Sequence, residues 1–242
     1  CGTVGSGVVK LLRDNQSAIY KRVGEEIHIK RILEKDLQKV QMLGLPESIL
    51  ARNMDEIIQD KDIQIVVELI GGIEPARSYI LQAMRNGKNV VTANKDLIAE
   101  HGRILFETAA EYKVDFYFEA SVAGGIPIIY PLKQSLAANR IKEVIGILNG
   151  TTNYILTKMS REGRPFAEVL AEAQALGYAE ADPTADVGGL DAARKIAILS
   201  SIAFNTRITF KDVYVEGITS ITPADIRYAQ ELGYVVKLLA VA

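Results

Sequence analysis

The chain of 242 residues is almost neutral, with a net charge of −2, and 48% of its residues are hydrophobic. This size and composition allow one or two substantial cores, and the charge gives no reason to expect a nucleic acid or an anionic membrane as a partner. No stretch approaches the roughly 18 apolar residues of a membrane span. The single cysteine excludes an internal disulfide and a multi-cysteine metal site, which fits a reducing, cytoplasmic location.

A glycine-rich segment opens the chain, Cys1-Gly2-Thr3-Val4-Gly5, and runs into a helical pattern. Gly2 and Gly5 are spaced like the last two glycines of the G-x-G-x-x-G dinucleotide fingerprint, in which the backbone approaches a pyrophosphate at a helix N-terminus. No Met and no apolar strand precede this loop, so we expect a fragment that lacks the first strand of such a domain. Glycine spacing alone leaves the presence of a nucleotide site open.

Short apolar runs next alternate with helical patterns, as a parallel sheet requires. Predicted strands cover residues 26–33, 63–70, 89–92 and 115–119. One helix is predicted to begin at Pro75, and another covers residues 97–112. The loops at the carboxyl ends of the strands carry Gly71-Gly72, Thr92 to Lys95, and Glu119 to Gly125. Ligands bind at this edge of open α/β sheets, so these loops are expected to line a crevice.

The alternation breaks down near residue 126. A short helix is predicted up to Ala138 and a strand over 141–148, and the run 234–242 is either a strand or an apolar helix. We therefore predict an α/β protein with a Rossmann-like, parallel-sheet dinucleotide-binding domain over residues 1–126. A second, mixed α/β domain for substrate binding and dimerisation is predicted over residues 127–242.

The segment from Leu176 to Lys195 gathers acids around one lysine. Glu180, Asp182 and Asp186 lie in a predicted Gly- and Pro-rich loop, and Asp191 lies four residues before Lys195 on the next helix. A pair with this spacing projects from one helix face and is usually a surface ion pair. The helix from Ala192 to Phe204 is too apolar for the surface, however, so Lys195 is expected at the edge of a core. A substrate with an ammonium group would fit this pocket.

Five segments in this order resemble those of homoserine dehydrogenases: Cys1–Gly7, Val91–Lys95, Glu119–Pro127, Asn149–Tyr154 and Gly177–Lys195. The resemblance covers essentially the whole chain, and its last segment is the most specific. It implies reversible reduction of L-aspartate 4-semialdehyde to L-homoserine with NADPH or NADH, on the route to threonine, methionine and isoleucine. It also implies a catalytic region that continues past residue 242, and a homodimer formed through the second domain.

The resemblance assigns roles to individual residues. Glu180 and Asp191 would contact the amino-acid substrate, Lys195 would donate the proton to the oxygen, and Lys95 would act beside the nicotinamide and the substrate. Domain closure would bring Lys195 and the cofactor together. The expected cofactor-binding residues are Gly2, Thr3, Val4, Gly5, Lys35, Ile70, Lys95 and Gly177.

The type of cofactor depends on the end of the second predicted strand, where Glu34 would favour NADH and Lys35 would favour NADPH. We favour NADPH because Lys35 matches a basic position of NADP-preferring relatives. The resemblance also implies a monovalent cation, commonly sodium, bound near Glu119, Val122, Gly124 and Ile126 through backbone oxygens.

Three other functions compete with this interpretation. An aldehyde dehydrogenase acting on the same semialdehyde would need a nucleophilic cysteine in the second domain, but the only cysteine is Cys1. A non-catalytic NAD(P)-binding sensor would have no reason to gather Glu180, Asp191 and Lys195. A dehydrogenase of a related amino acid is the third alternative.

Overall fold

The computed structural model describes residues 1–242, and the contacts between them divide the chain into two compact units. The first unit comprises residues 1–94 and 103–117, and the second comprises residues 95–102 and 118–242. These contacts assign Lys95 and the loop from Glu119 to Ile126 to the second unit. The second unit therefore begins earlier in the chain than the predicted domain boundary at residue 126. The two-domain division at that residue stays a prediction. No helix is long and apolar enough to cross a membrane.

The first unit has a three-stranded parallel sheet in the order β1 (Ile65–Glu68), β2 (Asn89–Thr92) and β3 (Phe116–Tyr117). Val66 of β1 lies opposite Val90 of β2, which lies opposite Phe116 of β3. Ile80 and Met84 are fully buried with Val90. The elements up to residue 117 are α1 (Thr3–Asp14), α2 (Gln16–Val23), α3 (Leu37–Met42), α4 (Asp55–Ile58), β1 (Ile65–Glu68), α5 (Ala76–Arg85), β2 (Asn89–Thr92), α6 (Lys95–Tyr112) and β3 (Phe116–Tyr117). The first residues of α6, 95–102, belong to the second unit. The predicted α/β class with a parallel sheet is confirmed.

The prediction of a strand over residues 26–33 is wrong. This segment makes only one isolated bridge, between Ile32 and Leu50. Ile32 accepts from the Ala51 amide and donates to the Ile49 carbonyl, each at 2.9 Å. A strand exists only where its backbone groups find a neighbouring strand, and the other residues of this segment find none. The strands predicted over 63–70, 115–119 and 141–148 are shorter in the structure for the same reason.

The second unit is mainly helical and contains a small antiparallel sheet. Its buried cluster includes Ile155, Met159 and Val169 from two neighbouring helices. The elements are β4 (Ile145–Gly146), α7 (Gly150–Glu162), α8 (Phe166–Ala175), α9 (Thr184–Val187), α10 (Leu190–Ala203), α11 (Pro223–Glu231) and β5 (Ala240–Val241). The helix predicted from 126 to 138 is shorter in the structure, where residues 129–130 are helical and Pro131–Ser135 form a π-helical turn. The apolar helix predicted after Ala192 is confirmed as α10, most of which is buried.

Candidate active site

The start of α10 is set by a glycine. Gly189 has a φ of +81°, which L side chains rarely adopt, and a Cβ atom there would lie 2.8 Å from the Glu216 carbonyl oxygen. Only glycine therefore lets the chain turn this close to Glu216 and enter α10. Asp191 lies in the first turn of the helix that this glycine initiates.

Asp191 is the centre of the site and is only 5% exposed. Its Oδ2 accepts from Lys195 Nζ at 2.7 Å and from Asn149 Nδ2 at 2.9 Å. Its Oδ1 lies 3.3 Å from Lys95 Nζ. Burial acts to raise the pKa of Asp191, but the hydrogen bonds from Asn149 and Lys195 and the charges of both lysines outweigh it, so the pKa lies below its ordinary value. Asp191 is therefore a carboxylate that holds two ammonium groups.

The Lys195 ammonium uses two of its three hydrogens in hydrogen bonds within the chain. It donates to the Leu148 carbonyl oxygen at 2.7 Å and to Asp191 at 2.7 Å. An ammonium carries three donors, and no third acceptor in the chain takes the last one. Lys195 is partly exposed, so the remaining hydrogen can be offered to an oxygen of a bound molecule. The predicted projection of Asp191 and Lys195 from one helix face is confirmed.

Two adjacent ion pairs tie the start of α6 to α10. Lys95 pairs with Asp191, and Arg194 Nε lies 3.0 Å from Asp96 Oδ1, although without hydrogen-bond alignment. The Arg194 guanidinium also lies over the Phe210 ring, 5.0 Å from its centroid. The structure thus brings Lys95 beside Asp191, far from it in sequence, so that two lysines flank one carboxylate.

The three acids of the predicted loop separate in the structure. The Asp182 carboxylate accepts from the Thr184 amide at 3.1 Å, and Asp186 lies on α9 and accepts from Asn149 at 2.7 Å. Only Glu180 remains an exposed carboxylate without a hydrogen bond or an ion pair. Asp182 and Asp186 thus accept hydrogen bonds from donors within the protein, and Glu180 is the carboxylate of the three that is left for a ligand.

Side chains from neighbouring helices anchor the backbone of this loop. Gln174 Nε2 donates to the carbonyl oxygens of Glu180 and Ala181 at 3.0 and 3.3 Å. The Thr151 hydroxyl donates to the Tyr178 carbonyl at 2.7 Å. The Tyr178 side chain itself is 58% exposed. Gly177, with a φ of +76°, is exposed in the same loop.

In the first unit, the start of α1 suits an anionic group. The helix begins at Thr3, with no side-chain cap and no acid in its first turn. Its first backbone bond runs from Ser6 to Gly2, so the amides of Thr3, Val4 and Gly5 precede it. A Cβ at Gly2 would meet nothing within 4 Å. Free amides and open space beside Gly2 fit a pyrophosphate at a helix N-terminus.

Glu34 and Lys35 differ in availability. Glu34 Oε1 accepts from the backbone amides of Lys35 and Asp36 at 2.8 and 3.1 Å. The Lys35 side chain is exposed. Of the two residues that bear on cofactor type, Glu34 is therefore hydrogen-bonded to neighbouring backbone amides, and Lys35 is available to a ligand.

Glu68 is a positioning residue that sequence reasoning missed. It is buried at the end of β1, and its Oε1 accepts from the amides of Ile70 and Gly71 at 2.7 and 3.1 Å. Its Oε2 accepts from the Thr92 hydroxyl at 2.6 Å. Glu68 thus holds the loop of Ile70, which is itself exposed. A charged residue in the otherwise apolar run Ile65 to Ile70 was the available signal.

The Glu119 loop uses its side chain internally. The Glu119 carboxylate accepts from three backbone amides at 2.6 to 2.9 Å, those of Ile128, Ile129 and Tyr130. No group of three or more His, Cys, Asp or Glu residues could hold a metal ion. A cation here would have to use backbone oxygens, which suit a hard cation. The site at Glu119, Val122, Gly124 and Ile126 stays a prediction.

The first unit and the site around Asp191 define a class, that of α/β proteins with a Rossmann-like dinucleotide-binding domain and a second domain that carries charged site residues. Comparison with known families agrees and is more specific. Residues 1–119 match the model "Homoserine dehydrogenase, NAD binding domain", and residues 127–242 match the model "Homoserine dehydrogenase". The chain belongs to the homoserine dehydrogenase family.

Individual relatives agree with this assignment. The chain is 51% identical to homoserine dehydrogenase of Bacillus subtilis, over 100% of this chain and 56% of the relative. The crystal structure of a homoserine dehydrogenase from Thiobacillus denitrificans has a TM-score of 0.95 and 51% identity, over 100% of this chain and 56% of that one. A hyperthermophilic archaeal homoserine dehydrogenase in complex with NADPH has a TM-score of 0.81 and 25% identity, over 100% and 76%. The chain spans about half the length of the curated relatives it matches.

Proposed function

We propose that the full protein containing this chain interconverts L-aspartate 4-semialdehyde and L-homoserine with a nicotinamide cofactor. The observation that carries the proposal is the Lys195 ammonium, which Asp191 and the Leu148 carbonyl hold with one hydrogen left for a ligand. A carbonyl oxygen that gains negative charge needs this donor. Family membership supplies the substrate.

In the reducing direction, Lys195 donates a proton to the aldehyde oxygen. When bound, NADPH supplies the hydride that reduces the aldehyde carbon. A positioned general acid contributes roughly 10²–10⁴-fold to such a step. Asp191 keeps the ammonium oriented, and Lys95 adds a second positive charge beside the same carboxylate.

We assign recognition of the substrate ammonium to Glu180. Its carboxylate is exposed and unpaired, whereas Gln174 fixes the backbone beneath it. A charge-assisted hydrogen bond from an ammonium would satisfy it. The role of Asp191 as a second substrate contact rests on the family resemblance, because both its oxygens already face lysines.

The dinucleotide would be held by the start of α1 and by Lys35, with Ile70, Lys95 and Gly177 as further contacts. Free amides at Thr3, Val4 and Gly5 suit the pyrophosphate, and the exposed Lys35 suits a 2′-phosphate. The NADPH complex of the archaeal relative supports the same choice of cofactor. Glu34 is engaged with its own backbone, so we propose NADPH ahead of NADH.

Three further proposals complete the function. A monovalent cation, commonly sodium, binds the backbone oxygens of the Glu119 loop as a structural ion. The protein acts as a homodimer through its second unit, whose small sheet has an exposed apolar face. It works in the cytoplasm, which fits a chain with one cysteine.

The test uses the full-length parent protein. L-homoserine is offered with NADP⁺ or NAD⁺, and formation of the reduced cofactor is followed by its absorbance. We expect turnover with both and a higher kcat/KM with NADP⁺. Folded protein that binds NADPH but gives no turnover with either cofactor would instead indicate a sensor or a dehydrogenase of a related amino acid.

A further inference from the structure

A buried asparagine, Asn149, connects two carboxylates of the site. It is 4% exposed, and its Nδ2 donates to Asp186 Oδ1 at 2.7 Å and to Asp191 Oδ2 at 2.9 Å. Its Oδ1 accepts from the Thr152 amide at 2.8 Å and from the Thr152 hydroxyl at 2.9 Å. Both hydrogens and the oxygen of the amide are thus engaged, and the contacts with Thr152 fix which way the amide faces.

The segment Leu148-Asn149 holds Lys195 in two ways. The Leu148 carbonyl accepts directly from Lys195 Nζ at 2.7 Å. The Asn149 amide donates to the same Asp191 oxygen that accepts from Lys195. The direct bond limits where the ammonium lies, and the indirect one limits where its partner carboxylate lies. Together they determine the direction of the one ammonium hydrogen that remains free.

We propose that Asn149 is a positioning residue for proton transfer by Lys195, acting through Asp191. The proposal rests on the proposed function. Asn149 also caps α7 through the Thr152 amide, so its structural and positioning roles must be separated. Serine retains a capping oxygen but has no pair of N–H donors. Asn149→Ser therefore removes the link between the carboxylates and preserves the cap.

A pH profile distinguishes the two roles. Asp191 is faced by Lys195 from its own helix, by Lys95 from α6 and by Asn149, whose amide also holds Asp186 of α9. The Asn149 hydrogen bond is one of the contacts that lower the pKa of Asp191. Without it, Asp191 becomes protonated at higher pH and releases Lys195. The acid limb of kcat for aldehyde reduction, the direction in which Lys195 donates the proton, therefore moves to higher pH.

The experiment compares Asn149→Ser with Thr222→Ala in the full-length protein. Thr222 caps α11 elsewhere in the second unit, where its hydroxyl accepts from the Asp225 amide at 3.2 Å, so its loss is a control for a missing cap. We expect Asn149→Ser to lower kcat for aldehyde reduction about 10- to 100-fold, the range for the loss of one hydrogen bond to a charged group. Its acid limb should shift upward, and its Kd for NADPH should stay unchanged. Thr222→Ala should change only the thermal stability.

Wild-type kcat and an unshifted pH profile in Asn149→Ser would overturn the positioning role, and so would an equal loss of kcat in Thr222→Ala. If Asn149→Ser does not fold, Asn149→Gly takes its place, because glycine caps helices almost as well. Failure of both variants to fold would make Asn149 a structural residue and overturn the proposal. Wild-type protein without homoserine turnover would overturn the proposed function itself, and this inference with it.

Discussion

Lys195 is the residue on which the proposed chemistry depends. Lys195→Ala removes the group that donates the proton in reduction and accepts it in oxidation, but it leaves the start of α1 and Lys35 untouched. We expect kcat for homoserine oxidation to fall by about 10²–10⁴-fold, the contribution of a general acid–base group. The Kd for NADPH, followed by cofactor fluorescence, should stay near the wild-type value. If the variant retains most of the wild-type kcat, Lys195 does not take part in the reaction.

Glu180 should act on substrate binding more than on turnover. Glu180→Ala removes the carboxylate that we assign to the substrate ammonium, so KM for homoserine should rise about 10- to 100-fold, the value of a charged hydrogen bond. Glu231→Ala, which removes an exposed acid at the end of α11, is the matched control and should leave KM unchanged. Steady-state kinetics give KM for homoserine in both variants. Equal KM values in the two variants would mean that Glu180 is a solvated surface residue with no role in substrate binding.

Lys35 should determine the preference for NADPH. Its exposed ammonium can pair with a 2′-phosphate, a group that NADH lacks. We expect Lys35→Ala to raise KM for NADP⁺ about tenfold, by the loss of one charged contact, and to leave KM for NAD⁺ unchanged. The ratio of kcat/KM for the two cofactors is the measurement. An equal loss with both would place the ribose pocket elsewhere.

Among the elements, α7 and α8 are joined by a cluster of charges. Glu172 on α8 accepts from the Tyr154 hydroxyl at 2.8 Å, and it also pairs with Lys158 and Arg164. The hydrogen bond from Lys158, followed by those from Arg164 and Tyr154, lowers the pKa of Glu172 to about 2. The ring of Tyr154 also packs on Tyr178 of the Glu180 loop, with centroids 4.8 Å apart. This cluster therefore connects helix packing to the loop.

The low pKa of Glu172 makes its contribution to stability depend on pH. A carboxyl group whose folded-state pKa is depressed stabilises the protein above its unfolded pKa of roughly 4.3, and this stabilisation is lost as pH falls toward the folded value. Glu172→Gln should thus lower the free energy of unfolding at pH 7, and the difference from wild type should shrink between pH 4.3 and the folded value of about 2. Denaturant unfolding across this pH range is the measurement. A difference that does not vary with pH would mean that Glu172 acts by packing alone.

Local patterns predicted some elements well and others poorly. β2 and α10 follow from apolar runs bounded by Gly or polar residues, and the i,i+4 spacing of Asp191 and Lys195 is a property of one helix. The strand over 26–33 failed because strand formation depends on a partner that the local sequence does not specify. Asn149 was missed as a contact because it lies 42 residues from Asp191. Contacts made across such distances follow from the fold, which local spacing does not describe.

At the scale of the whole molecule, the small sheet of the second unit has an exposed apolar face. Ile145 of β4 lies opposite Val241 of β5, and Ile147 and Leu239 fall two residues further along, on the same face by strand alternation. These four side chains are 44–56% exposed. A continuous apolar patch of this kind usually marks an interface, which supports the proposed homodimer.

Ile145→Glu tests this surface in the full-length protein. A carboxylate buried against a second copy would have no partner and would be desolvated, which costs far more than a typical interface contact contributes. We therefore expect sedimentation velocity to show a dimer for wild type and a monomer for Ile145→Glu. Met42→Glu, which changes a highly exposed apolar residue of the first unit, should remain a dimer. If Ile145→Glu stays dimeric, a different surface joins the subunits, and this face must be covered by another part of the full-length chain.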